Sequence, residues 1–410
     1  MNRIFQAALA VALLVSSRAG AQEGPKAAPD APASSPEPVA PAEPAAPPAS
    51  APQGQPPRPP SPPAADAPPK PTAAAPYAPT FWGFVNVQYA RTDPPAPGVV
   101  SSTFQLRRAR IGARGDVTPN VGYAVLFDGA DTSLKDAYAA LKPVRGLELR
   151  LGQWKTPFGY EQPESDTKLL WVNSSYVVQA LARSTSTTSV NATPDSRDLG
   201  VGLLGKWTAG AIGAELAGSL VNGAGPNRTD DLDTKNAWGR AGVLIKGGRV
   251  GVRAGGSFGY GRQVAGLGAN GKFDGVGTPV DDTYFWFKTY GADVEVDTPI
   301  FFAAAEWIQS ERDVRTYTSA TSSTASAFTA RGWYAGVYGK TPWNLGPIFR
   351  AERYDRNRNV AGDTNERYTI GAYVDAVPLN ARLIFNYEAD RSEKAVRTGD
   401  KAIVFGQVIF

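Results

Sequence analysis

The chain has 410 residues but no cysteine, no histidine and a single methionine. Without cysteine there is no disulfide, no thiol nucleophile and no thiolate metal site. Without histidine the usual general base of a serine hydrolase is gone, and so is the commonest zinc ligand. No catalytic group, metal or cofactor is expected. Charge of one sign is lacking too: 42 basic against 38 acidic residues leave a formal +4, too balanced for a nucleic-acid partner. Any electrostatic function must come from where charges are placed. Long apolar runs are also scarce. After Ile4–Val15 nothing approaches the roughly 18–20 residues of a membrane-spanning helix.

That one apolar run lies at the start of the chain. Arg3 precedes it, and Ala19-Gly20-Ala21 supplies the small-x-small pattern of a leader-peptidase site, which leaves Gln22 as the new N-terminus. Residues 1–21 therefore read as a signal peptide rather than an anchor helix. From Gln22 to Pro79, 38 of 58 residues are Pro or Ala. Such a segment buries too little apolar surface to offset its ordering entropy, so 22–79 is expected to be a disordered periplasmic tether. It is either a spacer or a contact with the cell wall.

The remaining 331 residues, 80–410, are rich in Gly, aromatics and β-branched side chains. They fall into segments of about ten residues with alternating character, such as "FVNVQYA", "LELRLGQ" and "RYTIGAYVD". Short connections with Pro, Gly or Asn lie at 116–120, 143–146, 208–210, 246–249, 297–299, 341–346 and 376–380. Longer polar connections lie at 91–103, 128–133, 154–197, 222–236, 261–282, 311–327, 355–366 and 389–401. Fifteen connections separate sixteen strands, with both ends on the short-turn side. The fold class read from this is all-β, a 16-stranded antiparallel transmembrane β-barrel of the bacterial outer membrane, its outside against lipid. A propeller would show a blade-length repeat, and none is present. Paired β-sandwiches would not gather aromatics beside the connections. Here Trp82, Tyr123, Trp207, Phe301 and Trp343 lie near short turns, and Tyr89, Trp238, Tyr260 and Trp307 near long loops, as two interfacial girdles would. Phe410, with Val408, Gly406 and Val404 on its face, resembles the C-terminal signal of bacterial outer-membrane proteins.

"FQLRRARIGARG" (104–115) carries four arginines. As a strand it places Ala109, Ile111 and Ala113 on one face and Arg108, Arg110 and Arg114 on the other. Arginine on the lipid face at mid-depth costs about 2–4 kcal/mol, so the arginine face should line the lumen. Arg107 is then expected outward, snorkelling to headgroups, while Phe104 and Leu106 break the phase and point to a bulge or a position above the membrane. The same alternation makes Arg150, Lys206, Arg240, Arg253, Arg350 and Arg382 lumen candidates. Acids share these faces: Asp128, Asp136, Glu148, Glu215, Asp293, Glu295, Glu306 and Glu352. Such a lumen is either an anion path or a wall stiffened by ion pairs.

"FQLRRARIG", "DAYAALKP" (136–143), "LRLGQWKTPFGYE" (149–161) and the final "FGQVIF" together resemble the phosphate-selective porin O and P family. The resemblance implies a sixteen-stranded porin, usually a homotrimer, with inward basic residues and a loop folded into the lumen. It also implies that Arg108 and Arg110 line the pore.

The longest connection, 154–197, exceeds what a simple link needs, and "LLWVNSSYVVQAL" (169–181) is too apolar for free exposure to water. It is either a constriction loop inside the lumen, carrying Lys155, Trp171 and Arg183, or a cap or trimer latch. Two motif matches carry little: "GLGANG" (266–271) has no helix after it, and "DRNRNVAGDTNE" (355–366) echoes a calcium loop with its glycine misplaced. The function read from sequence is passive diffusion of small hydrophilic solutes, with anions such as phosphate among them. The alternative is a structural protein whose plugged barrel is tethered to the cell wall.

Overall fold

A computed structural model describes residues 77–94, 100–183, 196–230, 234–266, 283–317, 323–376, 380–394 and 396–410. The signal peptide expected over 1–21 lies outside the described residues, as do most of the tether over 22–79 and all but the first residue of "GLGANG". The chain forms β1 (Thr80–Asp93), β2 (Ser102–Thr118), β3 (Val121–Asp128), β4 (Ser133–Leu141), β5 (Leu147–Lys155), β6 (Arg197–Ala209), β7 (Ile212–Val221) and β8 (Asn236–Gly247). It continues through β9 (Val250–Gly266), β10 (Thr283–Asp297), β11 (Phe301–Tyr317), β12 (Ser323–Gly339), β13 (Leu345–Asp355), β14 (Thr364–Ala376), β15 (Ala381–Asp390) and β16 (Asp400–Ile409). A helix of six residues, α1 (Tyr176–Leu181), lies between β5 and β6.

Each strand pairs antiparallel with its sequence neighbours, and β16 pairs with β1 to close the barrel. Closure is what lets strands cross hydrocarbon, because every backbone N–H and C=O then has a partner and no edge remains. Short and long connections alternate as the sequence spacing indicates. Asn344, Asn380, Gly210 and Gly248 take positive φ in the short turns, a conformation these residue types adopt at little cost. One long loop is shorter than expected. β11 runs to Tyr317 and β12 starts at Ser323, so much of 311–327 is ladder rather than loop.

The strands carry one apolar and one polar face. Leu149 and Leu151 of β5, Val201 and Leu203 of β6 and Ile370 of β14 are exposed on the outside. Asn86, Asp128, Glu306, Arg350 and Asn386 are buried inside. Two of the girdle aromatics belong to the inner face instead. Trp238 is buried, stacked on Phe287 at 5.2 Å, and Trp82 shares the inward parity of Phe84 and Asn86. Position along a strand sets depth, but parity decides whether a ring meets lipid, and both tryptophans have inward parity. Phe81 is the exposed aromatic beside Trp82.

The phase break in β2 is a β-bulge. Asn86 pairs with Arg108 and Val87 with Leu106, so Arg107 is the extra residue. The inserted residue switches parity, which keeps Phe104 and Leu106 outside together with Ile111. It also corrects the expectation for Arg107. Its side chain turns into the lumen and donates to Gln88 Oε1 at 2.8 Å and Asn173 Oδ1 at 3.0 Å. At the closing seam, Phe410 exchanges two backbone hydrogen bonds with Gly83, and its ring lies over that glycine, where a Cβ would come within 2.6 Å.

Candidate functional site

In the connection between β5 and β6, the described segment 156–183 folds into the lumen. Its apolar run drives this: Leu170, Trp171, Val177, Val178 and Leu181 are buried against inward residues of the far wall, among them Ile308, Ala330 and Tyr334. Trp171 lies edge-on to Tyr334, with Arg350 over its ring at 5.7 Å. Phe158 meets Trp238 edge-on at 5.5 Å, and Tyr160 packs by Phe302. Ser175 caps α1, its hydroxyl accepting from Val178 N.

A loop buried in a barrel must find partners for its own backbone, and the wall supplies them. Tyr176 N donates to Glu352 Oε2 at 2.6 Å, Val172 N to Asn386 Oδ1 at 2.9 Å and Gly159 N to Ser257 Oγ at 2.9 Å. Arg367 donates to Ser174 O, Arg312 to Ala180 O and Arg382 to Thr167 O. The loop is fastened to β9 and to β11–β16. It also reaches the arginine face of β2, where Asn173 accepts from Arg107 and Asp166 pairs with Arg108 and Arg110.

Among the described residues, a cavity lies on each side of the loop. The cavity toward the long-loop end has a volume of about 470 Å³ and is lined by Arg107, Arg108, Arg110, Lys135, Lys155, Arg183 and Arg197 with Asp128, Asp131, Glu161 and Asp166. The cavity toward the short-turn end holds about 400 Å³, with Arg150, Lys155, Lys168, Lys206, Arg240 and Arg253 against Asp136, Glu164, Glu215 and Glu295. Lys155 lines both.

Most of the inward cations are held by carboxylates. Arg110 Nε lies 2.7 Å from Asp128, and Arg240 is held between Glu215 and Asp293. Arg253 lies 3.0 Å from Glu295, Arg150 2.5 Å from Glu148 and Arg197 2.7 Å from Asp136. Others are looser. Lys206 is largely exposed and 4.0 Å from Glu215, and Arg114 is exposed nearer the short-turn end. Arg183 donates to Ser174 Oγ. Arg114, Arg350 and Arg382 lie outside both cavities. Arg350 is completely buried under the loop, 2.9 Å from Glu352, and Arg382 forms a bidentate pair with Asp375. Trp171 likewise anchors the loop and does not line either cavity. Sequence alternation missed Asp166, which is contributed by the loop. Its carboxylate lies 3.2 Å from Arg108 and 2.6 Å from Arg110. Burial alone would raise that carboxyl, but Lys155, Arg108, Arg110 and Arg197 hold it well below the usual range. At 355–366 no group of three or more metal-ligating acids is assembled among the described residues.

A family model for phosphate-selective porin O and P matches residues 85–396, three quarters of the chain. The chain belongs to that family. It is an outer-membrane porin, a channel for passive diffusion of small hydrophilic solutes. Similar solved structures include OmpT of Vibrio cholerae expressed in the outer membrane, 12% identical at a TM-score of 0.53, covering 83% of this chain and 99% of that one. A trimer form of in-vitro folded Vibrio cholerae OmpT is 13% identical at a TM-score of 0.51, covering 82% and 99%. Salmonella typhi OmpF in complex with daunomycin is 12% identical at a TM-score of 0.52, covering 82% and 98%. At these identities the likeness concerns the fold. No curated protein matches the chain.

Proposed function

We propose that this porin passes anions in preference to cations, along a path that runs beside the β2 arginines and crosses the loop at Lys155. The observation that carries the reading is the charge of the two cavities. Seven cations face four carboxylates in one, and six face four in the other. Fixed charge of one sign lining a narrow aqueous path raises the local concentration of the opposite ion. The ion pairs lower this excess, so the preference is mild. Arg107 carries most of it at the cavity toward the long loops, because it bonds to neutral amides. Lys155 and Arg183 line the constriction, and Arg114, Arg150, Lys206, Arg240 and Arg253 extend the path toward the short turns. The natural assembly is a homotrimer, a reading supported by the trimer form of the similar OmpT. Residues 1–21 serve as the export leader and 22–79 as a periplasmic spacer.

Reversal potential in a salt gradient across a planar bilayer tests this. The wild type should reverse on the anion-selective side. Changing Arg107 and Arg108 together to Glu should move it toward cations at about 0.1 M salt, where the Debye length is about 10 Å. The shift should shrink near 1 M, where screening is about 3 Å. Ala109→Ser, on the lipid face, is the control. A double variant with unchanged reversal potential at low salt would make these arginines wall structure only. A barrel with no steady current would point to the plugged, structural alternative.

A further inference from the structure

Asp166 differs from the other acids of the arginine wall. Asp128 is fixed opposite Arg110 by strand register, and Asp136 projects from β4 onto Arg197. Asp166 arrives from the other side, on the loop, and puts one oxygen on each of two neighbouring guanidinium groups, Arg108 and Arg110. Lys155 and Arg197 complete the positive surround. A carboxylate with its two oxygens shared between two arginines has the shape and charge of a bound oxyanion. The site also borders Lys155, the residue where the two cavities meet. With Asp128 and Asp166 both in place, Arg108 and Arg110 are neutralised and have little attraction left for a passing solute.

We propose that Asp166 is a tethered occupant of the anion site, and that it sets how tightly the porin holds a permeating oxyanion. An oxyanion with two or more oxygens, phosphate or a carboxylate, takes up the Arg108–Arg110 pair by displacing the Asp166 side chain. The loop carboxylate returns once the solute has moved on. A site that is always refilled from within releases its anion quickly, which conduction requires. The inference rests on the anion preference proposed above. It assigns to one loop residue the weakness of that preference.

The test uses the full-length protein and inorganic phosphate as the probe. Chloride current through single channels is titrated with phosphate in the wild type, Asp166→Asn and Asp166→Glu. Removing the internal competitor should lower the half-blocking phosphate concentration about tenfold or more, equivalent to ~1.4 kcal/mol. It should also move the reversal potential further toward anions. Asp166→Glu, which keeps the charge, should stay near wild type. Equal or weaker phosphate block in Asp166→Asn overturns the proposal. So does a larger conductance with an unchanged reversal potential, because Asp166 would then be a loop fastening. A wild type without anion preference beside an Asp166→Asn channel that has one would sink the preceding reading and leave this one standing. Should Asp166→Asn fail to assemble, hydrogen exchange on the wild type decides. Displacement predicts faster exchange around residues 164–168 in phosphate than in chloride at equal ionic strength, where Lys168 N is bonded to Ser165 O. Identical exchange overturns the proposal.

Discussion

Trp171→Ala tests how the loop is held. Leu170, Trp171, Val177, Val178 and Leu181 are each at most 3% exposed, and burying such side chains stabilises by roughly 1.5–3 kcal/mol apiece, on the order of 10 kcal/mol together. Truncating a buried Trp to Ala costs about 3–5 kcal/mol, transfer and cavity terms combined. That is less than the whole, so the loop stays seated. The loss falls on residues 169–173, where Arg350 also loses the ring beneath it. At ~1.4 kcal/mol per tenfold, local opening there should become roughly 10²–10³ times more frequent. Hydrogen exchange of the assembled porin reads this directly at the amide of Val172, which is bonded to Asn386. Exchange at Val172 should accelerate by that factor, exchange across α1 should change little, and mean single-channel conductance should remain near wild type. Gly336→Ala repeats the perturbation from the wall side, since a Cβ there would lie 2.7 Å from the Trp171 ring. Unchanged exchange at Val172 in both variants would refute the idea that this ring holds the loop.

The mature N-terminus should be Gln22, and mass spectrometry of the outer-membrane form finding residues 1–21 retained would refute the leader assignment. Deleting Phe410 should lower the yield of folded, heat-modifiable barrel without altering the conductance of the channels that do assemble. Gly83→Val should act in the same direction and more strongly, because its first side-chain atom would meet both Arg110 O and the Phe410 ring at 2.6 Å. Normal yield of both variants would remove the seam from the account of assembly.

Much of the barrel was legible because lipid and water impose a period of two, and turn residues mark where that period is interrupted. The count and order of strands followed from those marks alone. Parity gave the inward acids from Asp128 to Glu352 for the same reason. Depth alone misplaces Trp82 and Trp238, whose parity turns them inward. Parity fails for Arg107 because a bulge adds one residue that no composition reveals. The local sign was there, in apolar residues of even number at 104 and 106 and of odd number from 109 onward. Arg350 has the right parity and lies under the loop, and parity says nothing about what covers an inward side chain. Asp166 had no sequence signal, since a loop has no period to read.

The loop's fastenings are far away in sequence. Val172 bonds to Asn386, 214 residues on, and Thr167 O accepts from Gln407, 240 residues on. Those partners belong to the last two strands of the sheet. The surface that receives the loop is therefore not complete until the chain's final residues have found β1 and closed the ring. Contacts of such long range form late, after the entropy of closing the intervening chain has been met. Narrowing of the channel is thereby tied to completion of the ring, so a barrel left unclosed at its seam would lack the fastenings that narrow it and would leak.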